Sequence, residues 1–370
     1  MKITDVETMV CSSTAQIGRM GTGREVVIMK VHTDEGITGL GYLPTITAHH
    51  GGHAKVAQEA VNGSLKTYLI GQDPLANERL WENMFMDTYR WGRSGIVVHA
   101  IAALDVALWD IKGKVAGLPL YKLLGAYRER VPVYANAGFE APPDQIARKA
   151  VEMVGQGFTG VKVRVGLAVV PLDEATERVK AIREAVGPDI RLMCDANASW
   201  DVDTAIKMLR KWEKHNIHWL EEPLHPDDIL GYIKLTQSVA TPITAGENHC
   251  TRTEFRELIT RGAVRIIQPD AIRVGGITEW LKVAGMASSF GIPVAPHSMN
   301  EIHVHLVAAH PAGIYVEVHP PGNPMYEFIH SLFKFPKELT DFKDSAIAVP
   351  QAPGLGLELN EEAAAKSRVA

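Results

Sequence analysis

The sequence predicts an α/β chain: a modified (β/α)8 barrel of the TIM type, carrying an N-terminal α+β capping domain that the C-terminal segment completes. Three observations predict it. From VPVYANAG at 131 to IYVEVHP near 319, β-rich runs alternate with polar loops and amphipathic helices. Such alternation implies a parallel sheet with right-handed helical crossovers, and crossovers repeated this often close into a barrel. Three acidic residues end successive apolar runs, Asp195 in IRLMCDAN, Glu221 in IHWLEEP and Glu247 in TPITAGEN, each 26 residues after the last. That interval is one βα unit. Finally, an open doubly wound sheet would need a glycine-rich phosphate turn after its first strand, and YANAGFEAPP does not supply G-x-G-x-x-G.

The elements follow in order. KITDVETMV and REVVIMKVHTDEGITGLGYL read as strands, with Asp34-Glu35-Gly36 as a hairpin turn between two apolar runs. Helical periodicity runs through AKVAQEAVNGSLKTYLIG, PLANERLWENMFMDTY and the long VVHAIAALDVALWDIKGKVAG. Residues 1–125 are therefore expected to form the capping domain and 126–335 the barrel. The segment 336–370, ending PGLGLELNEEAAAKSRVA, is too small to stand alone and is expected to pack back on the capping domain.

At 370 residues and 46% hydrophobic, the chain can bury a large core. Its formal charge of −5 gives no basic field, which argues against nucleic acid or anionic membrane as partners and leaves a small molecule as the better fit. The longest apolar stretches are strand-sized, and MKITDVETMV carries charges where a signal peptide needs its hydrophobic segment. A cytoplasmic homo-oligomer is expected. Cys11, Cys194 and Cys250 lack metal or disulfide spacing and read as buried thiols.

Carboxylates ending consecutive parallel strands converge at one mouth of a barrel, where their oxygens can hold a divalent cation, and octahedral Mg²⁺ suits that donor set. Acidic residues at strand ends are ordinarily solvated, but three in register argue for a metal site. Asp270 ends VRIIQPD and His297 ends GIPVAPHS, so a carboxylate can hold one ring nitrogen and leave the other as a base. VKVRV places Lys162 and Arg164 on one strand face. Glu317 ends IYVEVHP, where a carboxyl group kept protonated would hydrogen-bond a growing enediolate. Asn197 shares the face of Asp195, whereas Glu222 points the other way and reads as structural. His303 and His305 lie in a helical pattern and would not chelate, so a metal-dependent hydrolase with H-x-H on its first strand fails on VPVYANAG.

The segments ALDVALWDIKGKVAGLPLYKLLGA, GVKVRVG, CDANASWD, WLEEP, GEN, QPDAIRVGGIT, PHS and PGLGLEL together resemble the enolase superfamily, in particular its mandelate-racemase-like subgroup. PHSMNEIHVHLVAAHP looks most like members that dehydrate acid sugars, such as the talarate/galactarate dehydratases. The resemblance implies Asp195, Glu221 and Glu247 as Mg²⁺ ligands and His297 with Asp270 as a dyad. It also implies removal of the proton alpha to a carboxylate, then loss of the β-hydroxyl to a 2-keto-3-deoxy acid. In the family the strand motif is commonly Lys-x-Lys, with the second lysine a base on the face opposite the histidine. Arg164 stands there, and a guanidinium stays protonated near neutrality, so it reads with Lys162 as a fixed cation binding substrate. Racemase or epimerase and lactone cycloisomerase remain alternatives on the same enediolate, as does a silent binding protein. The resemblance also assigns the segments of His49, His50, Tyr89, Arg90 and Trp91 to the substrate-selecting cap, and Asp105 and Asp110 to the domain interface.

Overall fold

The computed structural model describes residues 1–17, 22–47, 52–138, 141–166, 170–319 and 324–369. A three-stranded antiparallel sheet opens the chain: β1 (Ile3–Ile17), β2 (Thr22–Thr33) and β3 (Thr38–Thr47), in that order. The β2–β3 turn spans 34–36, where Gly36 at φ 77° supplies the left-handed step. Helices α1 (His53–Gly63), α2 (Asn77–Gly92) and α3 (Ile96–Ala116) follow. The helical run expected across 54–71 is broken: α1 ends at Gly63, and a 3-10 turn, Leu65–Tyr68, continues the chain. α3 is apolar around most of its circumference because it is enclosed, against β3 on one side and the barrel on the other. Gly39 and Gly41 permit the approach to β3, since a Cβ at either would collide with a carbonyl oxygen of α3, at Ala107 and Ala103 respectively.

The barrel strands are β4 (Arg130–Asn136), β5 (Gly160–Arg164), β6 (Arg191–Asp195), β7 (Ile217–Glu221), β8 (Ile243–Ala245), β9 (Ile266–Ile267) and β10 (Val316–Val318). All pair in parallel in sequence order, and β10 returns to β4 through Val316 and Val133. Between β9 and β10 the wall is held by two single bridges, Ile267 to Val294 and Val294 to Gly313. Pro293 and Pro296 flank this stave, and residues without an N–H cannot extend a ladder.

Side-chain alternation then builds the interior in layers. Tyr134, Met193, Trp219, Ile266 and Ala295 form one buried apolar plug. Two positions further along each strand, the same inward direction delivers Asn136, Asp195, Glu221, Gln268 and His297, all above that plug. The floor is apolar and the mouth is ionic.

Two devices join the halves. Asp105 on α3 accepts from the Thr278 N–H (2.8 Å) and hydroxyl (2.6 Å), capping the barrel helix Ile277–Ser289. Asp110 accepts from Leu40 N and Leu355 N, both at 3.0 Å, tying β3 to the C-terminal segment. That segment divides: Ala346–Ala348 pairs antiparallel with the start of β4, while Arg368 bridges to Cys11 on β1. Cys11, Cys194 and Cys250 are buried free thiols. No helix among the described residues is long and apolar enough to cross a membrane.

Candidate active site

Asp195 and Glu221 are the last residues of adjacent strands, paired in register, and Glu247 lies two residues past β8. All three are buried, and their ligand atoms lie within 4.8 Å of one another. Asp195 Oδ2 and Glu247 Oε2 are shielded from solvent and lack a well-aligned hydrogen bond, their close neighbours being the charges of Arg164 and His297. Burial, with Asp195 and Glu317 adding to it against the pull of Lys162, pushes Glu221 up to about 7. Crowded, buried and all-oxygen, this donor set fits a hard divalent cation.

The backbone leaving these strands is strained. Asn197 (φ 47°) and Ala198 (φ 56°) follow Asp195, Glu222 (φ 37°) follows Glu221, and Ser298 (φ 51°) and Met299 (φ 36°) follow His297. None is glycine, so the surrounding packing holds each in the left-handed region, a concentration of strain usual at functional sites.

Lys162 Nζ stands 2.6 Å from Glu221 Oε1, 2.9 Å from Glu317 Oε1 and 4.0 Å from Asp195 Oδ2. Arg164 reaches Asp195 Oδ2 at 2.9 Å. Although burial opposes their charge, the surrounding carboxylates hold both groups more firmly protonated than usual. Across the cavity, His297 Nδ1 lies 2.9 Å from Asp270 Oδ2, and its Nε2 lies 3.2 Å from Glu247 Oε2. Burial opposes the imidazolium, but Glu247 and Asp270 outweigh it and push His297 up to about 8. Asp270 is itself fixed by Ile272 N (3.0 Å) and by Arg273 Nε (3.8 Å).

Glu317 departs from expectation. It accepts from Asn136 Nδ2 (2.7 Å) and Ser298 N (3.1 Å) beside the Lys162 ammonium. Against its burial, Lys162 first and His319 next hold its carboxyl well below the usual range. These surroundings favour the carboxylate form, placed to fix Lys162, over the protonated donor expected from the sequence. Glu222 is structural as expected, accepting from Asn248 Nδ2 at 2.6 Å. His303 receives the Ala271 N–H at 2.9 Å, inside the fold.

The cavity at this mouth measures about 370 Å³ and brings together Asn136, Lys162, Arg164, Asn197, Glu247, Asp270 and His297. Its capping-domain wall excludes residues whose individual roles the sequence left open. Tyr89, Arg90 and Trp91 sit on α2 and do not line it; Trp91 is 56% exposed. His49 and His50 lie outside the described residues. Arg24, Pro44, Thr45, His53, Ile96 and His99 form the wall instead. The sequence reading also passed over Gln268, whose Nε2 donates to Glu221 Oε2 at 2.7 Å. Its signal was available, since it sits two before Asp270 on the same inward face. Because partners of metal-binding carboxylates orient them, Gln268→Ala is expected to weaken divalent-cation affinity by about 10- to 100-fold, measured by calorimetric titration of the folded variant.

The model of the mandelate racemase/muconate lactonizing enzyme N-terminal domain matches residues 2–125, and that of the enolase C-terminal domain-like fold matches 145–363. The chain belongs to this family. Among curated relatives, it is 36% identical to L-talarate/galactarate dehydratase of Salmonella typhimurium over 91% of this chain and 81% of that one. It is 34% identical to 3,6-anhydro-alpha-L-galactonate cycloisomerase of Streptomyces coelicolor, covering 91% and 90%. Among solved structures, an L-talarate dehydratase from Polaromonas sp. JS666 complexed with Mg and L-glucarate superimposes with TM-score 0.85 at 36% identity, over 100% of this chain and 98% of that one. A Streptomyces coelicolor racemase with bound magnesium gives TM-score 0.90 at 31% identity, over 99% and 100%. Across the family, then, one architecture serves elimination, cycloisomerisation and racemisation.

Proposed function

We propose that the protein is a Mg²⁺-dependent dehydratase of sugar acids, with Asp195, Glu221 and Glu247 as metal ligands. The observation that carries this reading is the His297–Asp270 pair, 2.9 Å apart, sharing one buried cavity with the carboxylate cluster. Bound Mg²⁺ would supply Lewis-acid polarisation of the substrate carboxylate. Lys162 and Arg164 add fixed positive charge where the enediolate gathers negative charge. Asp270 accepts the Nδ1 proton of His297, which leaves the Nε2 lone pair to take the C2 proton. The C2–H electron pair passes into the enediolate, whose collapse forms the C2–C3 double bond as the C3–O bond breaks. His297 then returns its proton to the departing hydroxide, and water leaves. The resulting enol loses its hydroxyl proton and gains one at C3 from solvent, giving the 2-keto-3-deoxy acid. Glu317 holds Lys162 in place throughout.

Because Arg164 and Lys162 are held as cations, proton removal is expected on one face only. The test incubates Mg²⁺-loaded protein with C2-epimeric pairs of sugar acids in D₂O, following 2-keto acid by derivatisation and C2–H by NMR. One epimer of a pair should eliminate while the other does neither. Interconversion of the epimers overturns the reading in favour of an epimerase, and a product of unchanged mass overturns it in favour of a cycloisomerase such as the 34% identical relative.

A further inference from the structure

We propose that Arg24 of the capping domain binds the distal carboxylate of a dicarboxylic sugar acid, so that aldarates rather than aldonates fit the cavity. This rests on the sugar-acid reading of the site. Arg24 lies on β2, is only 5% exposed, and lines the same cavity as His297. Its Nε is buried without a hydrogen-bond partner, and its neighbour is the neutral Tyr326 rather than any carboxylate among the described ion pairs. The guanidinium rests over the Tyr326 ring, 5.2 Å from its centroid.

The other cations of the cavity are engaged: Lys162 by Glu221 and Glu317, Arg164 by Asp195, Arg273 by Asp270 and Glu247. A buried charge without a counter-ion is costly. Burial disfavours the Arg24 charge, Tyr326 offsets part of that cost, and the like charge of Arg273 adds to it. An anionic ligand removes it, and a guanidinium fork matches a carboxylate. Position sets the chain length. Arg24 packs over Tyr326, whose hydroxyl lies 2.6 Å from Ser298 Oγ, and Ser298 follows His297 in sequence. Arg24 enters the cavity from the capping domain, whereas the carboxylate cluster stands at the barrel strand ends, so it faces the far end of an acid held there by its first carboxylate.

The test measures calorimetric affinity, and kcat/KM where turnover occurs, for two matched pairs: galactarate against galactonate and glucarate against gluconate. Each is run with the Mg²⁺-loaded wild type, Arg24→Gln and Arg24→Lys. The wild type should prefer the diacids. Arg24→Gln should lose about 10- to 100-fold for diacids, the worth of a charge-assisted hydrogen bond, with monoacids little changed and Arg24→Lys partly restored. Equal losses for both members of a pair, or a wild-type preference for monoacids, overturn the assignment alone. So does tighter binding of 6-phosphogluconate than of glucarate. Binding without C2 proton exchange or elimination defeats the dehydratase reading while leaving Arg24 as proposed. Failure of every acid to bind overturns both.

Discussion

Glu221→Gln is expected to remove both turnover and the stabilisation that Mg²⁺ confers. Glu221 is the hub of the cluster: Oε1 faces Lys162 at 2.6 Å, and Oε2 accepts from Gln268 at 2.7 Å and Trp219 Nε1 at 3.3 Å. Glutamine preserves shape and deletes the charge. A ligand that binds only the folded state stabilises it by about 2.7 kcal/mol at a hundredfold excess over its dissociation constant. The wild type should therefore melt at higher temperature when Mg²⁺ is added, and the variant should not. Lys162 keeps Glu317 at 2.9 Å, so the substitution does not leave the ammonium unpaired. A folded Glu221→Gln protein with wild-type metal affinity would sink the ligand assignment.

His297→Asn should lower deuterium incorporation at C2 by about 10²- to 10⁴-fold, the usual share of a positioned general base, while leaving the metal-dependent melting shift in place. Asp270→Asn should follow it for a different reason. A carboxylate can only accept from Nδ1, whereas an amide NH₂ can donate to it, moving the ring proton to Nε2 and removing the base. Exchange measured by NMR in both variants decides the point. Wild-type exchange in a folded Asp270→Asn protein would dissolve the pair.

The barrel and its acidic triad were legible because both obey rigid periods. One βα unit set the spacing of Asp195, Glu221 and Glu247, and the two-residue pleat set the facing of Lys162 with Arg164. His297 and Asp270 followed from their places at strand ends. What the sequence hid were states set by several partners at once. Glu317 as a strand-end residue was visible, but its charge depends on Lys162, Asn136 and Ser298, which arrive from three other parts of the chain. The cap was hidden for another reason: which face of α2 meets the barrel is a matter of helix docking. Tyr89, Arg90 and Trp91 gave no sign that they face away, nor Arg24 that it faces in.

The bridge between Cys11 and Arg368 also bears on how the chain is made. The Cys11 thiol meets the Ala364 carbonyl across 353 positions of sequence, and Val369 N donates to Val10 O at 2.9 Å. During synthesis β1 emerges early and the residues that cover it emerge after the whole barrel has been translated. Until then the first sheet presents an unclosed edge, the kind of transient surface that invites mispairing with a neighbouring nascent chain. Assembly of the cap is thus bound to completion of the barrel, and a ribosome that stalls in the last helix would release a molecule whose walls are built but whose opening strand still lacks its cover.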